Sequence, residues 1–185
     1  MMRAILSVPC QFTPPVGIWP DVVEIKVGDV TEASAVQAAI EGVDAVVHLA
    51  ALRHIVNPPP AMGEKYEHVN VGGTATVVEA AIKAGVKRVA LFSTIAVYGF
   101  SDGGVLNEMS PTHPDTFYAQ TKRDAEQIVL NARSADSQPL GTVLRLGAVY
   151  CSRIKGNYDR LIHALARNRF IPIGSGLNRR TLVYD

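Results

Sequence analysis

Tyr118 and Lys122 stand four residues apart in Tyr118-Ala119-Gln120-Thr121-Lys122, and apolar or small residues recur after them at helical spacing through Ala125, Ile128, Val129 and Leu130. On a helix that spacing puts the phenol and the amine on one face, about a turn from each other. Such a pair can move a proton. A tyrosine hydroxyl ionises near pH about 10 and is a poor base at neutrality, but an ammonium on the same face favours the phenolate and brings it toward the working range. Alone the pair is a weak signal, because a Tyr and a Lys at i and i+4 also occur on solvated helices. The surrounding elements must carry the rest.

The chain of 185 residues is long enough for one domain with a real core and too short for two full ones. With 48% hydrophobic and 19% charged residues and a mean hydropathy of +0.13, it is a folded globular sequence. A formal charge of +1, with no basic stripe and no acidic tail, gives no reason to expect nucleic acid or another polyanion as partner. Cys10 and Cys151 fit neither a disulfide framework nor a metal cluster, no histidine spacing suggests zinc, and no metal is expected. The opening apolar patch is too short for a signal-peptide core, and the longest apolar run, Val43 to Leu52, is broken by Asp44 and His48. No membrane partner is expected, and a reducing cytoplasm is the default.

Residues 9–20 hold four prolines and read as a loop or irregular arm. Val22 to Val27 reads as a strand ended by Gly28-Asp29-Val30-Thr31, with a short helix over 32–41 and Thr31 as its N-cap. Asp44 to Leu49 is nearly continuous and branched, as suits a strand buried on both faces of a parallel sheet. A long helix is expected from about Glu64 to Ala84, with Gly72 and Gly73 inside it where something packs closely. A strand over 86–92 runs into Ser93-Thr94, and a loop over 99–115 leads to the Tyr118 helix, which ends near Ala132. A strand over 140–146, a helix over 157–167 and extended pieces at 170–174 and 181–184 complete the chain. Strands alternating with helices mark βαβ units in a parallel sheet, whose ligands sit beyond the strands' carboxyl ends. Those ends carry Asp29, Leu49-Ala50-Ala51, Ser93-Thr94 and Leu146-Gly147-Ala148.

Gly28-Asp29-Val30, Val46 to Ala51, Asn70-Val71-Gly72-Gly73-Thr74, Phe92 to Gly99 and Tyr118 to Lys122 occur in an order and spacing that resembles the extended short-chain dehydrogenases/reductases. The resemblance is to the NAD(P)-dependent epimerase/dehydratase family, which includes nucleotide-sugar epimerases, and it covers about residues 22–185. It implies an α/β, Rossmann-like doubly wound parallel sheet, incomplete at the N-terminus, over residues 1–150, and the start of a small substrate-binding lobe over 151–185. It implies NAD or NADP as cofactor, with NAD favoured, a nucleotide sugar or related hydroxyl/carbonyl compound as substrate, and a homodimer through the long helices.

By position, the resemblance assigns Asp29 to the adenine amino group with Val30 beside it. Leu49, Ala50 and Ala51 fall to the turn against ribose and pyrophosphate, Asn70 to a brace, and Ser93 to the cofactor side. Thr94 matches the hydroxyl that bonds the substrate oxygen, Tyr118 the acid/base that also contacts the cofactor, and Lys122 the residue that lowers the tyrosine pKa and holds the nicotinamide ribose. Leu146, Gly147 and Val149 match a segment packed on the nicotinamide, and Arg180 matches an arginine that reaches a substrate diphosphate, a task that suits a bidentate guanidinium.

The pattern also departs from the family. No G-x-x-G-x-x-G occurs; Arg3 to Val8 reads as a remnant first strand, but prolines follow where a phosphate-binding turn belongs. Ala148 stands where nucleotide-sugar enzymes often carry asparagine, Cys151 replaces a usual glycine, and the sequence stops at Asp185 where the family continues into its substrate lobe. Plainer readings stand beside the chemical ones. Asp29 is a turn acid, Ser93-Thr94 a cap or loop pair, His48 a core residue, Arg179-Arg180 a solvated pair and Cys151 an inert buried thiol. The functional alternatives are a truncated or degenerate member with weak or no cofactor binding, and an NAD(P)-sensing regulator, which would need no Y-x-x-x-K.

Overall fold

The computed structural model describes residues 2–7, 23–53, 55, 58–101, 103–150, 157–172, 174–175 and 181–184. They fall into two compact units, residues 1–145 and 146–185. The proline-rich stretch 9–20 lies outside the described residues.

In the first unit, β1 (Met2–Ser7) pairs in parallel with β2 (Val23–Gly28), so the remnant strand read near Arg3 is a strand. Helix α1 (Ala33–Ile40) follows. Its N-cap is Glu32, which makes no side-chain cap, and this corrects the assignment to Thr31. The physical reason is upstream. Asp29 Oδ1 accepts from the Thr31 backbone N–H at 2.9 Å and from the Thr31 hydroxyl at 2.8 Å, which closes an aspartate turn and draws Thr31 back toward the strand end.

A three-stranded sheet has the order β3 (Ala45–His48), β4 (Arg88–Thr94), β5 (Gly141–Leu146). β3 and β4 are parallel, with Ala45 opposite Arg88 and His48 opposite Leu91. Between them runs the long helix read from the sequence: α2 (Met62–Tyr66), a π-helical stretch at Glu67–Gly72, and α3 (Gly73–Lys83). The glycine pair has a packing reason at Gly73, where a Cβ would stand 2.8 Å from Val30 Cγ1. After β4 a single 3-10 turn (Ile95–Tyr98) leads through a loop to α4 (Phe117–Asn131). α4 is capped by Thr116, whose Oγ1 accepts from Ala119 N at 3.2 Å.

α1, α3 and α4 share one core, in which Val36 and Ile40, Val77, Val78 and Ala81, and Ala125 and Val129 close over Val89, Leu91 and Leu140. Each large aliphatic side chain buried this way stabilises by about 1.5–3 kcal/mol. Strand alternation sends His48, Val89, Leu91 and Ser93 to that side, with Val46 packed against it. The other side differs from expectation. Val47 is 56% exposed, so β3 is buried on one face only, and Val27 on β2 is 62% exposed.

In the second unit, β6 (Ala148–Tyr150) pairs in parallel with β7 (Leu182–Tyr184), and α5 (Asn157–Ala166) lies between them in sequence. The Tyr150 ring meets Tyr184 edge-on at 5.3 Å and Tyr158 at 6.0 Å. The described residues of 170–174 join no strand, which corrects that extended piece. Parallel strands alternating with helices make the architecture α/β and Rossmann-like. No helix among the described residues is long and apolar enough to cross a membrane.

Candidate active site

Helix α4 presents Tyr118, Lys122 and Glu126 at successive intervals of four residues, hence on one face. Glu126 is fully buried and its Oε1 accepts from Ser93 Oγ at 2.5 Å, which fixes that face against the carboxyl end of β4. Each step of four residues along the helix rises about 6 Å. α4 also packs on the 3-10 turn after β4. Lys122 and Tyr118 lie one and two turns before Glu126 on that face. Thr94 caps that turn, its Oγ1 accepting from Ala96 N at 3.2 Å, so the plain reading of a capping hydroxyl is realised there.

Lys122 is only 2% exposed, and burial pushes its amine down to about 8, with the Glu126 carboxylate pulling the other way. Tyr118 is half-buried. Its phenol lies above its ordinary value because burial disfavours the phenolate and the neighbouring Tyr66 adds to that. The expected lowering of the tyrosine by Lys122 is not seen in this chain, where burial and Tyr66 both act upward.

Beneath this face lies polar machinery that the sequence analysis left without a role. Arg145 on β5 donates from Nε to both Glu126 oxygens at 3.1 Å and from Nη2 to Oε2 at 2.7 Å. Its Nη1 donates to the Tyr98 hydroxyl at 2.9 Å, and Tyr98 donates in turn to Asn107 O at 2.8 Å. A signal existed: Glu126 continues the 118–122 register as a charge on an apolar face, and Arg145 shares the inward face of its strand with Val143. Opposite charges at two inward positions ask for each other.

The loop after β3 is held from the long helix. Asn70 Oδ1 accepts from Leu52 N at 2.7 Å while Nδ2 donates to Leu52 O at 3.3 Å and to Thr121 Oγ1 at 3.1 Å. One buried amide thereby joins the 49–53 loop to α4. It sits in the π-helical stretch, a local widening that recurs at functional sites. The buried hydroxyl of Tyr66 accepts from Ile55 N at 3.1 Å and donates to Arg53 O at 2.9 Å, and its ring stands edge-on to Tyr118 at 6.5 Å between centroids. His48 is a core residue. Thr74 donates its hydroxyl proton to Asn70 O at 2.6 Å, so His48 Nε2 donates to Thr74 Oγ1 at 3.0 Å, and burial drives the imidazole down to about 4.

Of the residues singled out by sequence, Asp29, Leu49, Ala50, Ala51, Ser93 and Thr94 lie at carboxyl ends of parallel strands in the first unit. Asp29 bonds Thr31 through Oδ1, and no bond to Oδ2 occurs among the described residues. Val30 is buried against Gly73, and the hydroxyl of Ser93 is turned to Glu126, so either could meet a ligand through the backbone only. Gly147 and Val149 belong to the second unit, as does Leu146 at the end of β5. Arg180, Arg179 and Cys151 lie outside the described residues. A cleft of about 510 Å³ runs along another face of α4, lined by Phe117, Gln120, Thr121 and Asp124, and contains none of Thr94, Tyr118 or Lys122. Among the described residues no group of three or more His, Cys, Asp or Glu could hold a metal ion.

Residues 12–184 match the model of the NAD dependent epimerase/dehydratase family. The chain is similar to N-acetyl-alpha-D-glucosaminyl-diphospho-ditrans,octacis-undecaprenol 4-epimerase of Escherichia coli O157:H7, at 31% identity over 167 residues, 90% of this chain and 49% of that protein. It is 29% identical over 164 residues to UDP-glucose 4-epimerase of Vibrio cholerae, covering 85% of this chain and 49% of that one. In structure it resembles the dTDP-glucose 4,6-dehydratase DesIV of Streptomyces venezuelae, solved with NAD bound, with a TM-score of 0.73 at 30% identity over 88% of this chain and 51% of that one. The chain spans about half the length of the curated relatives it matches.

Proposed function

Because the chain belongs to the NAD dependent epimerase/dehydratase family, we propose that it carries the proton-transfer half of an oxidoreductase site for a nucleotide sugar or related hydroxyl/carbonyl compound. The observation that carries this reading is the buried Lys122 amine one helical turn from Tyr118, on the face of α4 fixed to the strand end that presents Thr94. When bound, NAD supplies the acceptor and donor of hydride.

One observation supports the fit of that cofactor: Asp29, at the carboxyl end of β2, uses only Oδ1 among the described residues, and Oδ2 would accept from the amino group of adenine. Small Ala50 and Ala51 leave room for ribose and phosphate in a loop that Asn70 holds rigid. In this reading Lys122 donates to the nicotinamide ribose, and its charge favours the Tyr118 anion once cofactor and substrate are bound. Thr94 orients the substrate oxygen, and Tyr118 takes the hydroxyl proton and returns it. Leu146, Gly147 and Val149 are proposed as the nicotinamide-facing segment, Arg180 as the diphosphate contact, and residues 151–185 as the start of the substrate lobe. A cytoplasmic site and a homodimer belong to the same proposal.

The test is incubation of the chain with NAD and either UDP-glucose or dTDP-glucose, followed by chromatography of the sugar nucleotides. An epimer or a 4-keto product that Tyr118→Phe abolishes supports the reading; unchanged sugars with both substrates count against it. A second reading has its own observation, the lack of any G-x-x-G-x-x-G turn together with the prolines after β1. It is a non-catalytic member of the family with weak or no cofactor binding, and it expects unchanged sugars and no response to NAD.

A further inference from the structure

Glu126 sits where a carboxylate is costly. It is fully buried, its bonds to Arg145 use both oxygens, and a third donor, Ser93 Oγ, completes the set. A buried ion pair is weak evidence for stability, since well-packed apolar residues of the same volume often do as well. The charges around it do not cancel either. Lys122 one turn away on α4 and Arg145 bonded to the carboxylate are two cations for one anion.

We propose that Glu126 is a positioning residue for the tyrosine–lysine pair: its buried carboxylate is the counter-charge of the Lys122 ammonium, with Arg145 and Ser93 holding that carboxylate in place. The functional weight of this inference rests on the reading of Lys122 given above; the electrostatic relationship does not. Tyr118 and Glu126 share the helix of Lys122, His48 at the end of β3 is held low partly by the Lys122 charge, and Arg145 on β5 is paired with Glu126. Tyr66 on α2 lies against Tyr118. Among these only Glu126 is an anion, and it favours the charged amine against burial.

The experiment follows the Lys122 13Cε resonance in lysine-labelled protein without cofactor or substrate, from pH about 6 to 11, the range that brackets a displaced lysine. In the parent chain it is expected to titrate near about 8. Glu126→Gln removes the anion and leaves Arg145, so the midpoint is expected to fall by about one pH unit or more. Glu126→Asp keeps the charge and is expected to stay near the parent. The double variant Glu126→Leu with Arg145→Met removes an anion and a cation together, and its midpoint is expected between the parent and Glu126→Gln. A carboxylate that only clamps Ser93 to Arg145 would lower the melting temperature of these variants and leave Lys122 titrating with the parent. That result overturns the proposal, as does a midpoint in the double variant below that of Glu126→Gln. Should Glu126→Gln not fold, Glu126→Asp and the double variant decide: parent-like for the first and lowered for the second supports it, and any other pattern overturns it. Absence of NAD binding by the parent would defeat the proposed function and leave this titration standing.

Discussion

The side-chain amide of Asn70 donates to the hydroxyl of Thr121 at 3.1 Å, across 51 residues of sequence, while its other contacts hold Leu52 N and O. The loop after β3 and the helix of Tyr118 are thereby set by one buried group. Asn70→Leu leaves the Leu52 N–H and C=O unpartnered and is expected to cost about 2–3 kcal/mol. Thr121→Val removes one acceptor of Asn70 and a hydroxyl shared by Phe117 O and Tyr118 O, carbonyls within the same helix, and is expected to cost about 1 kcal/mol. Urea unfolding of the two variants checks the order, and a larger loss for Thr121→Val contradicts it.

Tyr66 combines a phenol clamp with a ring contact. Tyr66→Phe loses the bonds to Arg53 O and Ile55 N and is expected to cost about 1–3 kcal/mol, whereas Tyr66→Ala also opens a cavity and is expected to cost about 3–5 kcal/mol. Thermal melts separate the two. Equal losses would mean that the ring against Tyr118 contributes nothing.

Lys122 sets the alkaline side of the stability profile. Its amine is at about 8 folded against 10.5 as its ordinary value, so between these the unfolded chain binds more protons. Stability therefore rises with pH across that window, by about 3 kcal/mol. Denaturant midpoints from pH about 7 to 10 in the parent and in Lys122→Met check this, because the variant should lose the rise.

His48 does the corresponding thing in acid. The folded imidazole is at about 4 against an ordinary 6.5, so the unfolded chain takes up the proton first as pH falls, and stability is lost from about 6.5 down to about 4. The loss expected is about 3 kcal/mol. His48→Gln keeps a donor for Thr74 and should flatten that limb; an unaltered limb assigns the acid sensitivity to other groups.

Gly73 tests the packing of the long helix on Val30. A Cβ there stands 2.8 Å from Val30 Cγ1, so Gly73→Ala is expected to cost about 1–3 kcal/mol despite alanine's better helix propensity. In a Val30→Ala background the same change should cost little. Equal costs in both backgrounds would place the strain elsewhere.

Much of this was legible in the sequence because period and punctuation are local. The α4 register, the glycine stops and the hydroxyls at the end of β4 each follow from neighbours in the chain. What was not legible depends on partners distant in sequence or on burial. Thr31 lost its capping role to an aspartate two residues back, and Val47 is apolar yet exposed because cover for a strand face comes from another element. The Tyr118 phenol lies high because burial and the neighbouring Tyr66 disfavour its anion, which spacing cannot reveal. Glu126, Arg145 and Tyr66 are each ordinary residues in sequence, and only the approach of α4 to β4, β5 and α2 makes them parts of a site.

The most direct test of the central claim is the melting temperature of the 185-residue chain against NAD concentration up to the millimolar range, with Asp29→Ala and Tyr118→Phe alongside. Ligand that binds only the folded chain must stabilise it by mass action, about 2.7 kcal/mol at one hundred times Kd. The expected result is a concentration-dependent rise in the parent, a weaker one in Asp29→Ala and a retained one in Tyr118→Phe, whose phenol serves chemistry. No rise in the parent at millimolar NAD would contradict it.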